Sequence, residues 1–524
     1  MINFLLKFKT FAFTALALFF SLMWVLTLFL HGWAAPFPRL SPQKPLLLMG
    51  LAFLAFIFFM LVNKIALLLS KVQEKKFLFR VIGLYFLLQI AFVFLFPVNT
   101  YEDALIIDGI AKQFLKGNFL SLGIGNYLGY YPNNIGITLF FTLLYSFLPD
   151  SNISLRLINV IFNSISAVII YKIYKELYPE RQDKACGMLL LAVTFLPPII
   201  LNNFTYGDIF SNTFCLAAML NALRYTRHRL GKYALYTTIF LMAGNFMRSV
   251  AFLFMAAIVL YWSTNLELKT KINIKNIAYA AMCILLFNVP IKAFSFIGVK
   301  TGIIAEPVGV HSNPVWRWIN MGFPDKKLGY WDGGKNISIF VHRFKCNKHD
   351  AAIFFIDDLF SKIKTSGLHQ VFRFYTKKTF WLWTEGTYSV NYYGLSQAVR
   401  AEHFVLYNTP LVKHVEPWDT AVRVSLDWLL HSFNWFVLGL VILYLFDSVR
   451  KQDLRMELFV YVILLYLGFY LLWEVKSRYI FGVYPIFLTM SYVYSEKIFD
   501  YLNGRLLKHK WQASEKYQKN KMYK

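Results

Sequence analysis

Two adjacent carboxylates, Glu102 and Asp103, stand at the mouth of an apolar run, Phe79 to Val98, in the text PVNTYEDALIIDGIAKQF. Carboxylates beside lipid are costly unless they pair, bind a cation or do chemistry. Asp208 opens a second apolar run directly after Gly207. Three cations stand at similar boundaries: Arg248 in GNFMRS, and Lys476 and Arg478 in WEVKSRYIF. A carboxylate in reach of a hydroxyl can take its proton, and a guanidinium can grip a phosphate with two parallel hydrogen bonds. Each residue also has a plain structural role. Asp103 and Asp208 can cap helices, Arg248 can pair with a nearby acid, and Arg478 can snorkel or pair with Glu474. Asp108 lies five residues past Asp103, points away from it on a helix, and reads as a solvated position.

These residues sit in a chain built for lipid. Of its 524 residues 57% are apolar and only 16% charged, with a mean hydropathy of +0.48; a soluble chain carries about a quarter charged residues. The apolar residues fall in blocks of about 17 to 25, the length that crosses a hydrocarbon core. The chain therefore reads as an integral membrane protein. Its first block, Phe11 to Leu30, follows Lys7 and Lys9 and is expected to be a retained anchor rather than a cleaved signal. The net charge is 54 − 28 = +26. It collects in loops between apolar blocks, which marks cytoplasmic loops beside anionic lipid rather than nucleic-acid binding. Cys186, Cys215, Cys283 and Cys346 show no metal-ligand spacing and no disulfide framework.

Basic loops orient the thread. Lys64–Arg80, Lys172–Lys184, Arg224–Lys232, Lys269–Lys275, Arg450–Arg455 and the tail after Lys497 are expected inside. Twelve crossings satisfy this, near 11–31, 45–63, 81–98, 155–172, 185–202, 207–223, 233–246, 249–263, 276–297, 427–446, 456–473 and 478–496. Both termini are then cytoplasmic. Ile135 to Leu148 is too short to cross and would invert every later loop, so it reads as an interfacial or re-entrant helix. Asp103 to Phe119 reads as a second surface helix, with Leu105, Ile106, Ile110 and Leu115 as its apolar stripe. The expected layout is an N-terminal membrane module over 1–297, with its first outer loop at 98–154. A small mixed outer-face domain follows over 298–426, then C-terminal helices over 427–497 and a basic tail over 498–524. The expected fold class is all-α and polytopic, with about twelve membrane helices.

With these features in place, the chain resembles the GT-C membrane glycosyltransferases, the group that includes protein O-mannosyltransferases and the aminoarabinose transferase of lipid A. The resemblance rests on ordered segments: TYEDALIIDGIAKQFLKGNF, YYPNNIGITLFF, SLRLINVIFNSISAVIIYKIYKEL, TYGDIFSNTFCLAAMLNALRY and WEVKSRYIFGVYPIFLTMSY. The last resembles a closing E-x-x-x-R-Y…P pattern. The resemblance implies transfer of a sugar from a polyprenyl-phosphate carrier to a cell-surface glycan, lipid or protein on the outer face of a bacterial plasma membrane. It implies an acid of the first outer loop as base, Asp103 first and Glu102 second, although the usual order is Asp-Glu. Asp208 would orient the acceptor or a divalent cation such as Mg or Mn. Arg478, supported by Lys476 and Arg248, would hold the donor phosphate.

The competing class is a transporter or a flippase for lipid-linked sugars. Such proteins show paired half-repeats and midplane acids, whereas these acids gather at one face. The ten histidines have no ligand spacing, and Trp316, Arg317 and Trp318 read as interfacial residues.

Overall fold

The computed structural model describes all residues except 1, 34–37, 70–72, 97–101, 266–271, 324–326, 333, 396–414, 416–419 and 523–524. Lys269 and Lys271 of one expected inner loop, and four stretches of the expected outer domain, thus lie outside the described residues.

Helices dominate because the apolar blocks are long and most carry no interior proline. Asn3–Leu26, Pro45–Leu69, Glu74–Leu95, Asn152–Leu177 and Ala421–Lys451 are long and apolar enough to cross a bilayer, as is the Ile274–Lys300 stretch. The other expected crossings are also helical: Gly207–His228, Gly231–Met247, Ala251–Thr264, Glu457–Leu472 and the start of Tyr484–Met522. Pro197 and Pro198 restart the fifth after Thr194, splitting it into Ala185–Thr194 and Leu196–Leu201. The chain is an all-α, multi-pass membrane protein. The first crossing ends earlier than expected, at Leu26. A two-stranded antiparallel ribbon follows, with Leu30 opposite Pro42 and Trp33 opposite Arg39.

Gly207–His228 is the central helix and is buried almost all round. It can carry Asp208, Ser211, Asn212, Thr213 and Asn221 because protein, not lipid, surrounds it. Ser166 and Thr213 share a hydrogen bond of 2.7 Å across its contact with Asn152–Leu177. Gly207 itself permits this packing, since a Cβ there would stand 2.4 Å from the Met247 carbonyl oxygen.

The basic loops converge on one end of the molecule. Lys175 pairs with Glu74 at 2.6 Å, Lys184 with Asp500 at 2.6 Å, Arg227 with Glu176 at 3.1 Å and Lys9 with Glu457 at 2.6 Å; Arg455 pairs with Glu180. Each exposed pair contributes little, but together they hold the expected inner loops side by side.

The opposite end carries the surface helices. Ile135–Tyr145 has 11 residues, or about 16 Å of rise, too short to cross. Gly136 lets it sit against the Gly231–Met247 helix, where any Cβ would collide with the Phe246 carbonyl. Glu102–Leu115 packs on it, but through a different face from the one expected. Ala104, Ile107, Ala111 and Phe114 are buried; of the expected stripe Ile110 is buried too, whereas Leu105, Ile106 and Leu115 are exposed. Two small alanines allow the close approach. Asp108 is likewise buried rather than solvated. It accepts a hydrogen bond from the Tyr145 hydroxyl and pairs with Lys112 at 3.1 Å.

Residues 298–395, expected to be mixed, are helical among the described residues. The turn-rich GYWDGGKNIS text makes a turn and a short helix at Lys335–Ser338, not strands. The long helix Lys348–Thr384 bends at Gly367, whose φ is +72°. Its Lys378 is buried and donates to the carbonyls of Gly322, Leu471 and Trp473 at 2.6, 3.0 and 2.7 Å. One side chain thereby ties the Val315–Gly322 and Lys348–Thr384 helices to the end of Glu457–Leu472. Lys378→Met should lower stability by about 2 kcal/mol or more, because it strands buried carbonyls. Thermal unfolding of the purified protein in detergent checks this; an unchanged midpoint would show that the tie carries no energy.

Candidate functional site

At the end opposite the basic loops lies a cavity of about 690 Å³. Several chain segments line it, among them four that are each positioned by their own local chemistry.

The first is the start of Glu102–Leu115. Glu102 takes a left-handed φ of +52°, so the two neighbouring carboxylates leave the helix end in different directions. Glu102 meets Lys476 at 3.4 Å and accepts hydrogen bonds from the Tyr392 and Tyr393 hydroxyls, both at 3.3 Å. Asp103 lines the cavity and accepts one hydrogen bond, from the Tyr127 hydroxyl at 2.9 Å.

The second segment, Tyr127–Asn134, extends that contact into a chain. Asn134 Nδ2 donates to the Tyr127 oxygen at 2.8 Å, and the Tyr206 hydroxyl donates to Asn134 Oδ1 at 2.8 Å. Every member is oriented, because an amide that donates on one side and accepts on the other fixes both hydroxyls.

The third is the turn before the central helix. Asn159 Nδ2 donates to the carbonyls of Asn202 and Phe204 at 3.0 and 3.2 Å, and Asn163 holds the Asn202 side chain at 2.9 Å. The turn so fixed presents Tyr206 to the cavity and Asp208 just behind it. Asp208 pairs with Arg248 at 2.8 Å and with Arg478 at 3.3 Å. Arg248 lies between the Tyr206 and Tyr479 rings, 5.0 and 5.2 Å from their centres. Arg478 lies over Tyr393 and Phe204 at 4.2 and 4.4 Å.

The fourth is Trp473–Tyr479. Val475 N–H donates to the Gly329 carbonyl at 2.9 Å, and Lys378 holds the Trp473 carbonyl. Glu474 and Lys476, between and beside these anchors, both line the cavity and are both buried. Burial pushes the Glu474 carboxyl above the usual carboxylate range. The positive charges of Lys476 and Arg317 oppose that rise, and the nearby Asp103 adds to it.

All six expected site residues therefore gather at this end, but not in equal positions. Asp103, Glu102, Lys476 and Arg248 reach the large cavity, whereas Arg478 and Asp208 lie behind its wall. Arg478 was expected ahead of Lys476 and Arg248; the structure puts those two in front. Sequence reasoning passed over Glu474, Tyr127 and Asn134. The E-x-x-x-R-Y and YYPNN segments carried them, but neither text shows that a turn aims them at Asp103. Among the described residues no group of three metal-ligating side chains forms a metal site.

An acid with spare acceptor capacity thus faces two cations across an aromatic-walled cavity at the edge of the membrane helices. Such an arrangement can deprotonate a hydroxyl while holding an anion.

Residues 135–292 match the family model described as dolichyl-phosphate-mannose-protein mannosyltransferase. No curated protein matches the chain. The match covers the surface helix Ile135–Tyr145, the central helix, Tyr206, Asp208 and Arg248. It bears out the resemblance to GT-C membrane glycosyltransferases, which draw on a lipid-linked sugar donor.

Asp208→Asn should leave two buried guanidiniums without their counter-charge, at a cost of about 3–5 kcal/mol. The double variant Asp208→Asn with Arg478→Met should be more stable than Asp208→Asn alone. Thermal unfolding of the variants tests this, and equal stability of wild type and Asp208→Asn would show that the cluster is not energetically coupled.

Proposed function

We propose that this protein transfers a sugar from a polyprenyl-phosphate carrier to a cell-envelope glycan, lipid or protein on the outer face of a bacterial plasma membrane. The observation that carries the reading is the cavity itself: Asp103, with one hydrogen bond, stands with Lys476 and Arg248 in a single space.

The chemistry asks little of a protein. Asp103 takes the proton of the acceptor hydroxyl, whose oxygen bonds to the anomeric carbon. The bond from that carbon to the carrier phosphate breaks, and its electron pair leaves on the phosphate oxygen. Lys476 and Arg248 meet the growing negative charge. Arg248 is held rigid by Asp208, and its second neighbour Arg478 adds positive potential from behind the wall. Glu102, shared between Lys476 and two tyrosines, positions the lysine. The aromatic lining (Trp318, Trp473, Tyr479) suits stacking on a sugar ring.

Asp103→Asn keeps size and hydrogen bonding but removes the base. Transfer should fall by about 10²-fold or more, measured with the purified protein and a polyprenyl-phosphate sugar. Glu102→Gln should be milder. Full activity with both changed would leave the reading without its chemistry and move a transporter ahead of it.

The orientation comes from the same reading: the cavity opens outside and both termini are cytoplasmic. All four native cysteines are buried and free, so background labelling is low. In intact cells an impermeant thiol reagent should modify Lys335→Cys and spare Gln182→Cys. The opposite pattern would place the cavity on the cytoplasmic side.

A further inference from the structure

Arg317 is fully buried, yet it makes no ion pair within 4 Å among the described residues. Its Nε and Nη1 have no hydrogen-bond partner there. Its Nη2 donates to the Tyr131 hydroxyl at 3.3 Å and approaches the Met321 sulfur at 3.9 Å. The guanidinium lies over the Trp318 and Tyr131 rings, 4.8 and 5.7 Å from their centres. Arg317 is not on the cavity lining, whereas Tyr131, Trp318 and Glu474 are. Its charge acts on the Glu474 carboxyl without a direct ion pair, and in a low-dielectric interior it acts as well on the group it touches.

Tyr131 is the group it touches. Three of the cavity tyrosines around it have their protons committed elsewhere, and the other two, Tyr130 and Tyr470, accept from no guanidinium among the described residues. Tyr127 donates to Asp103, Tyr206 to Asn134 and Tyr479 to Glu474. The Tyr131 oxygen instead accepts from a cation, and among the described residues no acceptor takes its proton. A phenol that accepts from a guanidinium is polarised and becomes a stronger donor. Burial pushes the Tyr131 hydroxyl up to about 12 against the pull of Arg317, so it keeps its proton at neutral pH.

We propose that Tyr131 is a catalytic hydrogen-bond donor to a phosphate oxygen of the lipid-phosphate leaving group, and that Arg317 is the positioning residue that polarises it from behind. This rests on the transferase reading and adds a neutral donor to the two cations already in the cavity. A donor aimed at charge that develops during bond breaking acts on the transition state more than on the bound donor.

The test uses the full chain in lipid nanodiscs with a polyprenyl-phosphate sugar as donor. Tyr131→Phe should lower kcat by about 10²-fold, the scale of one lost oxyanion donor, while KM for the donor changes by less than about 3-fold. Arg317→Met should lower kcat comparably, and in the Tyr131→Phe background it should add less than about 2-fold, because both changes remove one effect. Should Arg317→Met fail to fold, Arg317→Lys takes its place, retaining charge and losing activity only partly. Wild-type kcat in Tyr131→Phe, or fully multiplicative losses in the double variant, would overturn the inference while leaving the transferase reading intact. No turnover by the wild-type protein would overturn both.

Discussion

Two arginines gathered around one aspartate leave a net positive charge buried under the wall of the cavity. Asp208 binds Arg248 from the end of one helix and Arg478 from the start of another, while itself opening the central helix. Three segments far apart in sequence are therefore fixed by one carboxylate in a medium where charges are costly to separate. Aromatic faces complete the enclosure, with Phe204, Tyr206, Tyr393 and Tyr479 around the two guanidiniums. Without this knot the Tyr206 hydroxyl, the hydrogen-bond chain to Asp103 and the position of Arg248 would have no common reference.

The cavity's opposite side is set by backbone hydrogen bonding instead of charge pairing. Lys378 closes the carbonyls at the end of Glu457–Leu472, which leaves Trp473, Glu474 and Lys476 in a fixed order on the cavity edge. The Lys348–Thr384 helix thus serves as a brace for the C-terminal turn. Polar side chains inside the bundle do similar work. Asn159 satisfies the Asn202 and Phe204 carbonyls of the turn before the central helix, and Asn163 donates to the Asn202 side-chain oxygen.

Helix rotation explains where sequence reading and structure part. The Glu102–Leu115 helix has two apolar faces, one of Leu105, Ile106 and Leu115 and one of Ala104, Ile107, Ala111 and Phe114. Lipid is as apolar as a protein interior, so periodicity alone does not say which face packs inward. Small side chains decide it, because they let the Ile135–Tyr145 helix come close. The same rotation carries Asp108 inward, where Tyr145 and Lys112 satisfy it. Helices stand in the described part of the expected mixed domain for a related reason: glycine, asparagine and aspartate announce a turn but do not say whether a strand or a helix leaves it.

The sequence by itself determined the class of the molecule, the places of most of its long apolar helices, and the basic loops that gather at one end. Those depend on bilayer thickness and on where basic residues accumulate, quantities that are local and additive along the chain. It also named the six charged residues that meet at the cavity end. Only the tertiary structure decided their ranks. Lys476 and Arg248 face the cavity, Arg478 stands behind it, and Glu474, Tyr127, Asn134 and Arg317 join from segments whose text gave no such sign. Which side of a helix a charge occupies, and which neighbour neutralises it, depends on packing between segments hundreds of residues apart, and no local pattern encodes that.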